Sequence, residues 1–342
     1  MNVWLDCDTG HDDAYAILLA AYHPGANLLG ISTTYGNAPL ERTTYNTRAI
    51  LKAIGKEHVP VYTGAARPYC REIACAPDIH GETGLDGTSH LPVPSVPARD
   101  DKPAVQAMYD VISATLPQST WIVATGALTN VALLFSIYPA LIDHIAGLSI
   151  MGGAIGDGFT DAQLGNVLGH GPRFGNWTPW AEFNIYIDPE SARAVFENHG
   201  LAAKTVLIPL DLTHQFLATK DVQTKLSGAR SETRILFHEI LTFFAKTYAE
   251  VFGLTAGPPL HDPLAVAVVL ASECFDDGRY DITVVTDGEH GSSAEVRAGT
   301  SQCGQTLATA SKHGVRIPKT LNQDAIWTML DECLSRAEQS QG

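Results

Sequence analysis

Short β-branched runs alternate with helix-periodic segments along almost the whole chain, and that alternation restricts the fold more than any other feature. NVWLD precedes AYAILLAAYH, LLGISTTYG precedes LERTTYNTRAILKAIG, and VPVYTG precedes a long irregular stretch. Helix-patterned PAVQAMYDVISATL leads into WIVATG, and TNVALLFSIY leads into GLSIMGG. After a second long loop come IDPESARAVFENHG, the strand KTVLIPLD, and helices around 219–252 and 262–271. Parallel neighbours need a crossover long enough to hold a helix, so this order predicts an α/β fold. The sheet is expected to be mainly parallel, open and Rossmann-like, with helices on its faces. YDITVVTD and SAEVRAG read as a late antiparallel pair at a sheet edge, and LNQDAIWTMLDECLSRAE as a closing amphipathic helix. No repeat, low-complexity tract or linker divides the chain, so one domain is expected over residues 1–342.

Bulk properties remove several classes of function. With 45% hydrophobic and 17% charged residues, the chain can bury a sizeable core. Its net charge of −15, from 22 basic and 37 acidic residues, repels phosphate backbones, so no nucleic-acid partner is expected. No apolar run reaches the roughly 18 residues of a membrane span, so no membrane partner is expected either. The six cysteines are scattered without a CxxC pair, which points to reduced thiols and a cytoplasmic setting. No basic, apolar leader precedes the first strand, and a secretory signal is not expected.

Two loops are long enough to be functional. Residues 66–101 carry Pro68, Pro77, Pro92, Pro94 and Pro97 around HGETGLDG, and residues 154–181 are rich in glycine and aromatics. In an open α/β sheet, ligands bind beyond the carboxyl ends of the strands, where such loops lie.

The densest chemistry is in LDCDTGHDDA, residues 5–14, where Asp6, Asp8, Asp12 and Asp13 fall within eight positions. Clustered anions at a strand end repel one another. On a continuing strand Asp6 and Asp8 would share a face, and Gly10 would permit a sharp turn. Asp12 and Asp13 would then lie in the first turn of a helix, where the amide dipole favours anions. Helix capping explains Asp12 or Asp13 and leaves the other two without a role. A hard cation with oxygen ligands accounts for all four, directly or through supporting contacts.

Further polar groups sit at places where the sheet would end. WIVATG puts the Thr125 carbonyl at a strand terminus, and PPLHDP sets His261 beside Asp262 at a helix start. Read as extended chain, WAEFNIYIDP places Glu182 and Asn184 on one face, spaced to grip neighbouring sugar hydroxyls. In FFAKTYAEVFG, Phe244, Tyr248 and Phe252 form one helical stripe, a pattern that commonly belongs to a core. An isolated HD pair or polar strand edge is commonly structural, so it is the combination that points to a site.

DCDTGHDDA resembles the DxDPGxDDA signature of the inosine–uridine nucleoside hydrolase family. TTYGN, HGETGL, TGALTN, MGG, AEFN and HDP resemble its other stretches and occur in the family's order, over residues 6–263. Thr9 departs from the family's proline, a turn residue and no ligand. The resemblance implies Ca²⁺ held by Asp8, Asp13, Asp262 and the Thr125 carbonyl. It also implies that Asp8 is general base toward a water at the cation, with Asn37 supporting it. Asp12, Asn37 and Asn184 would hold the ribose diol. Glu182 and Asn176 would take the 5′-hydroxyl, with Met151 packed beneath. His261, then His80, are the candidates to serve the departing base, and Tyr248 a base contact. The implied reaction is hydrolysis of ribonucleosides to base and ribose by a homo-oligomer, dimer or tetramer. The 154–181 loop resembles the uridine-type branch, so uridine is the expected substrate, with a purine-preferring or nonspecific enzyme as alternative.

Two remoter readings compete. A haloacid dehalogenase-type phosphatase also starts with DxD after its first strand. It expects Thr or Val where this chain has Gly10, and it leaves AEFN and HDP idle. A non-catalytic nucleoside-binding protein would need no base at Asp8.

Overall fold

β1 (Asn2–Cys7) is buried from Val3 to Cys7, the pattern of a parallel strand covered on both faces. Val3, Leu5 and Cys7 enter one apolar cluster and Trp4 the other, because successive side chains alternate across the pleat. The structure, a computed structural model, describes residues 1–163, 175–228 and 231–340. Residues 164–174 of the long 154–181 loop therefore lie outside the described part.

The described strands are β1, β2 (Asn27–Thr33), β3 (Val61–Thr63), β4 (Thr120–Ala124), β5 (Gly147–Met151), β6 (Thr205–Ile208), β7 (Arg279–Val284), β8 (Thr306–Ala310) and β9 (Val315–Arg316). They make one sheet in the order β3-β2-β1-β4-β5-β6-β9-β7-β8. Every pairing from β3 across to β9 is parallel, and only β7 pairs antiparallel, with β8 and β9. Helices His11–Tyr22, Asp262–Leu270 and Gln323–Gln339 pack on one face. Helices Ala104–Ser113, Thr129–Ile137 and Pro189–Phe196 cover the other. No helix among the described residues is long and apolar enough to cross a membrane.

The chain winds outward from β1 in both directions, first to β2 and β3, then to β4, β5 and β6. The loops leaving β1 and β4 therefore part company at their carboxyl ends and open a crevice. Asp8 and Thr125 follow those two strands directly.

Three local expectations are corrected. SAEVRAG is not a strand: Ala294–Arg297 is a single helical turn, with the Ser293 hydroxyl accepting from Val296 N–H. The partners of β7 are β8 and β9 instead. WAEFNIYIDP is not extended: Phe183–Ile187 is helical, and Glu182 caps it. The capping carboxylate overrode a β-rich local pattern. Gly10 makes no special turn, since its φ of −111° suits any residue. It is needed for space, because a Cβ there would lie 2.5 Å from His80 Nδ1.

Candidate active site

The site begins where β1 ends. Asp6 is still in the strand and faces away from the crevice, where one carboxyl oxygen accepts from Ser32 Oγ and from Asn130 Nδ2 at 2.8 Å. Asp8 lies just beyond the strand and is fully buried. Its Oδ2 accepts from the Asn37 backbone N–H at 2.7 Å, while Oδ1 has no hydrogen-bond partner among the described residues. Room for it depends on Gly36, where a Cβ would come within 2.0 Å of Oδ2.

Asp12 and Asp13 occupy the first turn of helix His11–Tyr22, and one of them also does the capping that the simpler reading assigned. Asp13 Oδ2 accepts from Gly10 N–H at 2.9 Å and from Asn37 Nδ2 at 3.1 Å; its Oδ1 accepts from Thr125 Oγ1 at 2.8 Å. The backbone of His261 and Asp262, at the start of helix Asp262–Leu270, lies against the Asp12 carboxylate and offsets part of the cost of its burial. That contact carries the HDP segment to the amino-terminal cluster. Carboxyl oxygens of Asp12, Asp13 and Asp262 all lie within 4.8 Å of one another. Asp8 borders this trio and couples electrostatically to each member.

Opposite the carboxylates stand acceptors in fixed orientations. Asn184 Nδ2 donates to the Thr125 carbonyl at 3.0 Å and to the Met151 carbonyl at 3.3 Å. With its amide nitrogen so occupied, Asn184 turns its oxygen toward the remaining space. Glu182 accepts from Asn184 N–H, Ile185 N–H and Gly153 N–H at 2.8–3.0 Å, so a helix N-terminus and the MGG turn hold it. Asn176 Oδ1 accepts from Phe183 N–H at 2.9 Å.

A third group comes from outside the sheet. Tyr248, on helix Glu232–Phe252, places its hydroxyl 2.7 Å from His261 Nε2, and His261 Nδ1 lies 2.7 Å from Thr213 Oγ1. His80 ends the one-turn helix Pro77–His80 and packs against Phe244. Asp12, Asn37, His80, Thr125, Met151, Asn176, Glu182, Asn184, Tyr248, His261 and Asp262 all line one cavity. Asp8 and Asp13 lie behind that lining. The long 66–101 loop supplies His80 to it, and the end of the 154–181 loop supplies Asn176.

Electrostatically this cavity is unusual. Burial, then the neighbouring Asp13 charge, pushes Asp12 up to about 7. Burial and repulsion from neighbouring carboxylates hold Asp8 and Asp262 above the usual carboxylate range, and burial raises Asp13 as well. Four buried carboxyl groups cannot all ionise together without a compensating positive charge. The convergent carboxylates of Asp12, Asp13 and Asp262, with Asp8 beside them, are oxygen donors of the kind a hard divalent cation takes, so this cluster could hold one. The trio that converges contains Asp12, which the resemblance assigns to the sugar, rather than Asp8, which it assigns to the cation.

Sequence reasoning missed His11, which sits behind His80, and Thr213, which sits behind His261. Thr213 lies just past the end of β6, so its position was a usable signal; His11 was hidden among the aspartates. Trp177 and Phe183, also on the cavity wall, were missed too.

The sequence matches the family model described as inosine-uridine preferring nucleoside hydrolase over residues 3–328. It is 40% identical over 349 residues to the uridine nucleosidase of Saccharomyces cerevisiae, covering 98% of this chain and 96% of that one. It is 33% identical over 333 residues to a pyrimidine-specific ribonucleoside hydrolase of Escherichia coli, covering 97% and 96%. The fold is similar to that of a purine-preferring ribonucleoside hydrolase from Gardnerella vaginalis, with a TM-score of 0.84, 25% identity, and 99% and 100% of the two chains covered.

Proposed function

Because the chain belongs to the inosine-uridine preferring nucleoside hydrolase family, we propose that it hydrolyses the N-glycosidic bond of ribonucleosides, uridine foremost, with Ca²⁺ as its cation. The observation that carries this reading is the convergence of four buried carboxylates and two oriented amides on one cavity. The 40% identity to a uridine nucleosidase supports the base preference, since the fold itself is shared with a purine-preferring enzyme.

Asp8 is the general base. Its Oδ2 is pinned by Asn37, which leaves Oδ1 to take the proton of the attacking water. When bound, Ca²⁺ would hold the carboxylates ionised and make water more acidic. Asp12, Asn37 and the Asn184 amide oxygen bind the 2′ and 3′ hydroxyls, while Glu182 and Asn176 bind the 5′-hydroxyl above Met151. As the bond to the base breaks, positive charge grows on the ribose. It grows among carboxylates that water does not screen, where attraction is strongest. His261 serves the departing base through the Tyr248 hydroxyl that it contacts. A cavity that demands all three hydroxyls rejects deoxyribosides, whose binding would leave buried polar groups unpaired.

Initial rates on uridine, cytidine, inosine and adenosine, before and after chelation and with Ca²⁺ restored, test the reading. Uridine is expected to be fastest, with turnover lost on chelation and regained with Ca²⁺. Purine rates equal to or above that of uridine overturn the preference, and turnover indifferent to chelation overturns the cation.

A further inference from the structure

His11 is buried, lies nearly parallel to the rings of Phe243 and Phe244, and has a polar neighbour at each nitrogen. Its Nε2 is 2.8 Å from the Asp86 carbonyl oxygen, and its Nδ1 is 3.1 Å from His80 Nδ1. Turning the ring over would set carbon atoms against both neighbours, so this orientation is the hydrogen-bonding one.

These two contacts fix protons in series. A carbonyl oxygen only accepts, so His11 Nε2 must carry a hydrogen. Neither histidine touches a carboxylate with a ring nitrogen, so nothing local offsets the cost of burying an imidazolium, and both rings are neutral. A neutral His11 protonated at Nε2 has a bare Nδ1. The 3.1 Å contact then requires His80 to donate from its own Nδ1. That leaves His80 Nε2 bare, and His80 lines the cavity with no partner for that atom among the described residues.

We propose that His11 is a positioning residue that locks His80 as a hydrogen-bond acceptor, and that this acceptor selects a base carrying a ring N–H, uracil over cytosine. The proposal rests on the nucleoside hydrolase reading above and deepens it. Uracil presents N3–H, whereas cytosine presents a bare N3 whose lone pair would oppose that of His80 Nε2. A site built to pair a substrate N–H discriminates against the analogue that lacks it. His80 thus recognises the base and does not protonate it; proton delivery stays with Tyr248 and His261 on the neighbouring wall.

Long-range ¹⁵N–¹H correlation on the full-length, Ca²⁺-loaded protein reads the tautomer directly, with His80 assigned by its loss in His80→Gln. The expected result is His80 protonated at Nδ1 and bare at Nε2; a proton on Nε2 overturns the proposal. His11→Phe keeps the ring stack and removes both nitrogens. In that variant the kcat/KM ratio of uridine to cytidine should fall about tenfold, through loss on uridine, as expected when a buried donor loses its acceptor. Uridine N-methylated at position 3 should lose rate in the parent enzyme by a similar factor and much less in His11→Phe. An unchanged ratio in His11→Phe overturns the selection. Failure to hydrolyse any ribonucleoside, with the tautomer as stated, would instead sink the parent reading and the base assignment while upholding the lock.

Discussion

Asp8 meets different surroundings at its two oxygens, one held by Asn37 N–H and the other without a partner among the described residues. Asp8→Asn keeps the shape and the Asn37 contact but cannot accept the water's proton. Its kcat should fall by about 10²–10⁴-fold. Nucleoside binding, measured by calorimetry, should stay within a few-fold; surviving turnover would exclude Asp8 as base. Asp262→Asn should act at a different step, weakening Ca²⁺ binding in a titration, because it removes one carboxylate of the trio. Individual residues of the site were largely legible, since chemistry-bearing side chains stood at strand ends and helix starts. Their mutual contacts were not. That Asp12 meets Asp262 of the HDP helix start, or that His11 backs His80, depends on which distant segments meet.

Elements were legible where a hydrophobic period persisted, as in NVWLDC or the long Glu232–Phe252 helix. They were misread where one polar residue decided the outcome. Glu182 turns the β-rich FNIYI into a helix by accepting from its first amides, and Ser293 does the same for AEVR. Arg234 shows how three helices are joined by a single side chain. Its guanidinium donates to Asp331 at 2.8 Å, Glu338 at 2.8 Å, Ser335 at 2.9 Å and the Leu226 carbonyl at 2.7 Å. It is 5% exposed, whereas both acids reach partly into water, which lessens the cost of breaking the pairs. Arg234→Leu should lower stability by about 2 kcal/mol in urea unfolding, and leave kcat at 25 °C within twofold, since Asp331, Glu338, Ser335 and Leu226 are not among the residues lining the cavity. A loss of activity in protein that is still folded would contradict that separation.

At the scale of the whole molecule, the acidic cluster links folding to cation binding and pH. Asp12 titrates near 7 in the fold against an ordinary 3.8, and Asp8, Asp13 and Asp262 are raised too. Raised carboxyls bind protons more tightly when folded. Their contribution to stability is therefore full below the ordinary carboxylate range and is lost as pH rises through their raised values, about 7 for Asp12. A cation must displace those protons, so it restores most where the loss is greatest. The rise in Tm on adding Ca²⁺ should be small at pH 5 and larger at pH 8 by scanning calorimetry. An equal rise at both would dissociate the cation from this cluster. The parallel sheet and its flanking helices were readable from strand–helix order, whereas the switch between β1 and β4 was not, because alternation leaves the order of the strands open. One feature of that architecture reaches beyond this chain. Asp12, Asn37 and Met151, assigned to the sugar, stand at or just past the β1, β2 and β5 ends, whereas His80 and Tyr248, assigned to the base, ride on the 77–80 turn and the 232–252 helix, outside the sheet. Mutation can therefore retune diet without dismantling the cleavage apparatus, and descendants of one ancestor are free to diverge in what they salvage while sharing how they cut.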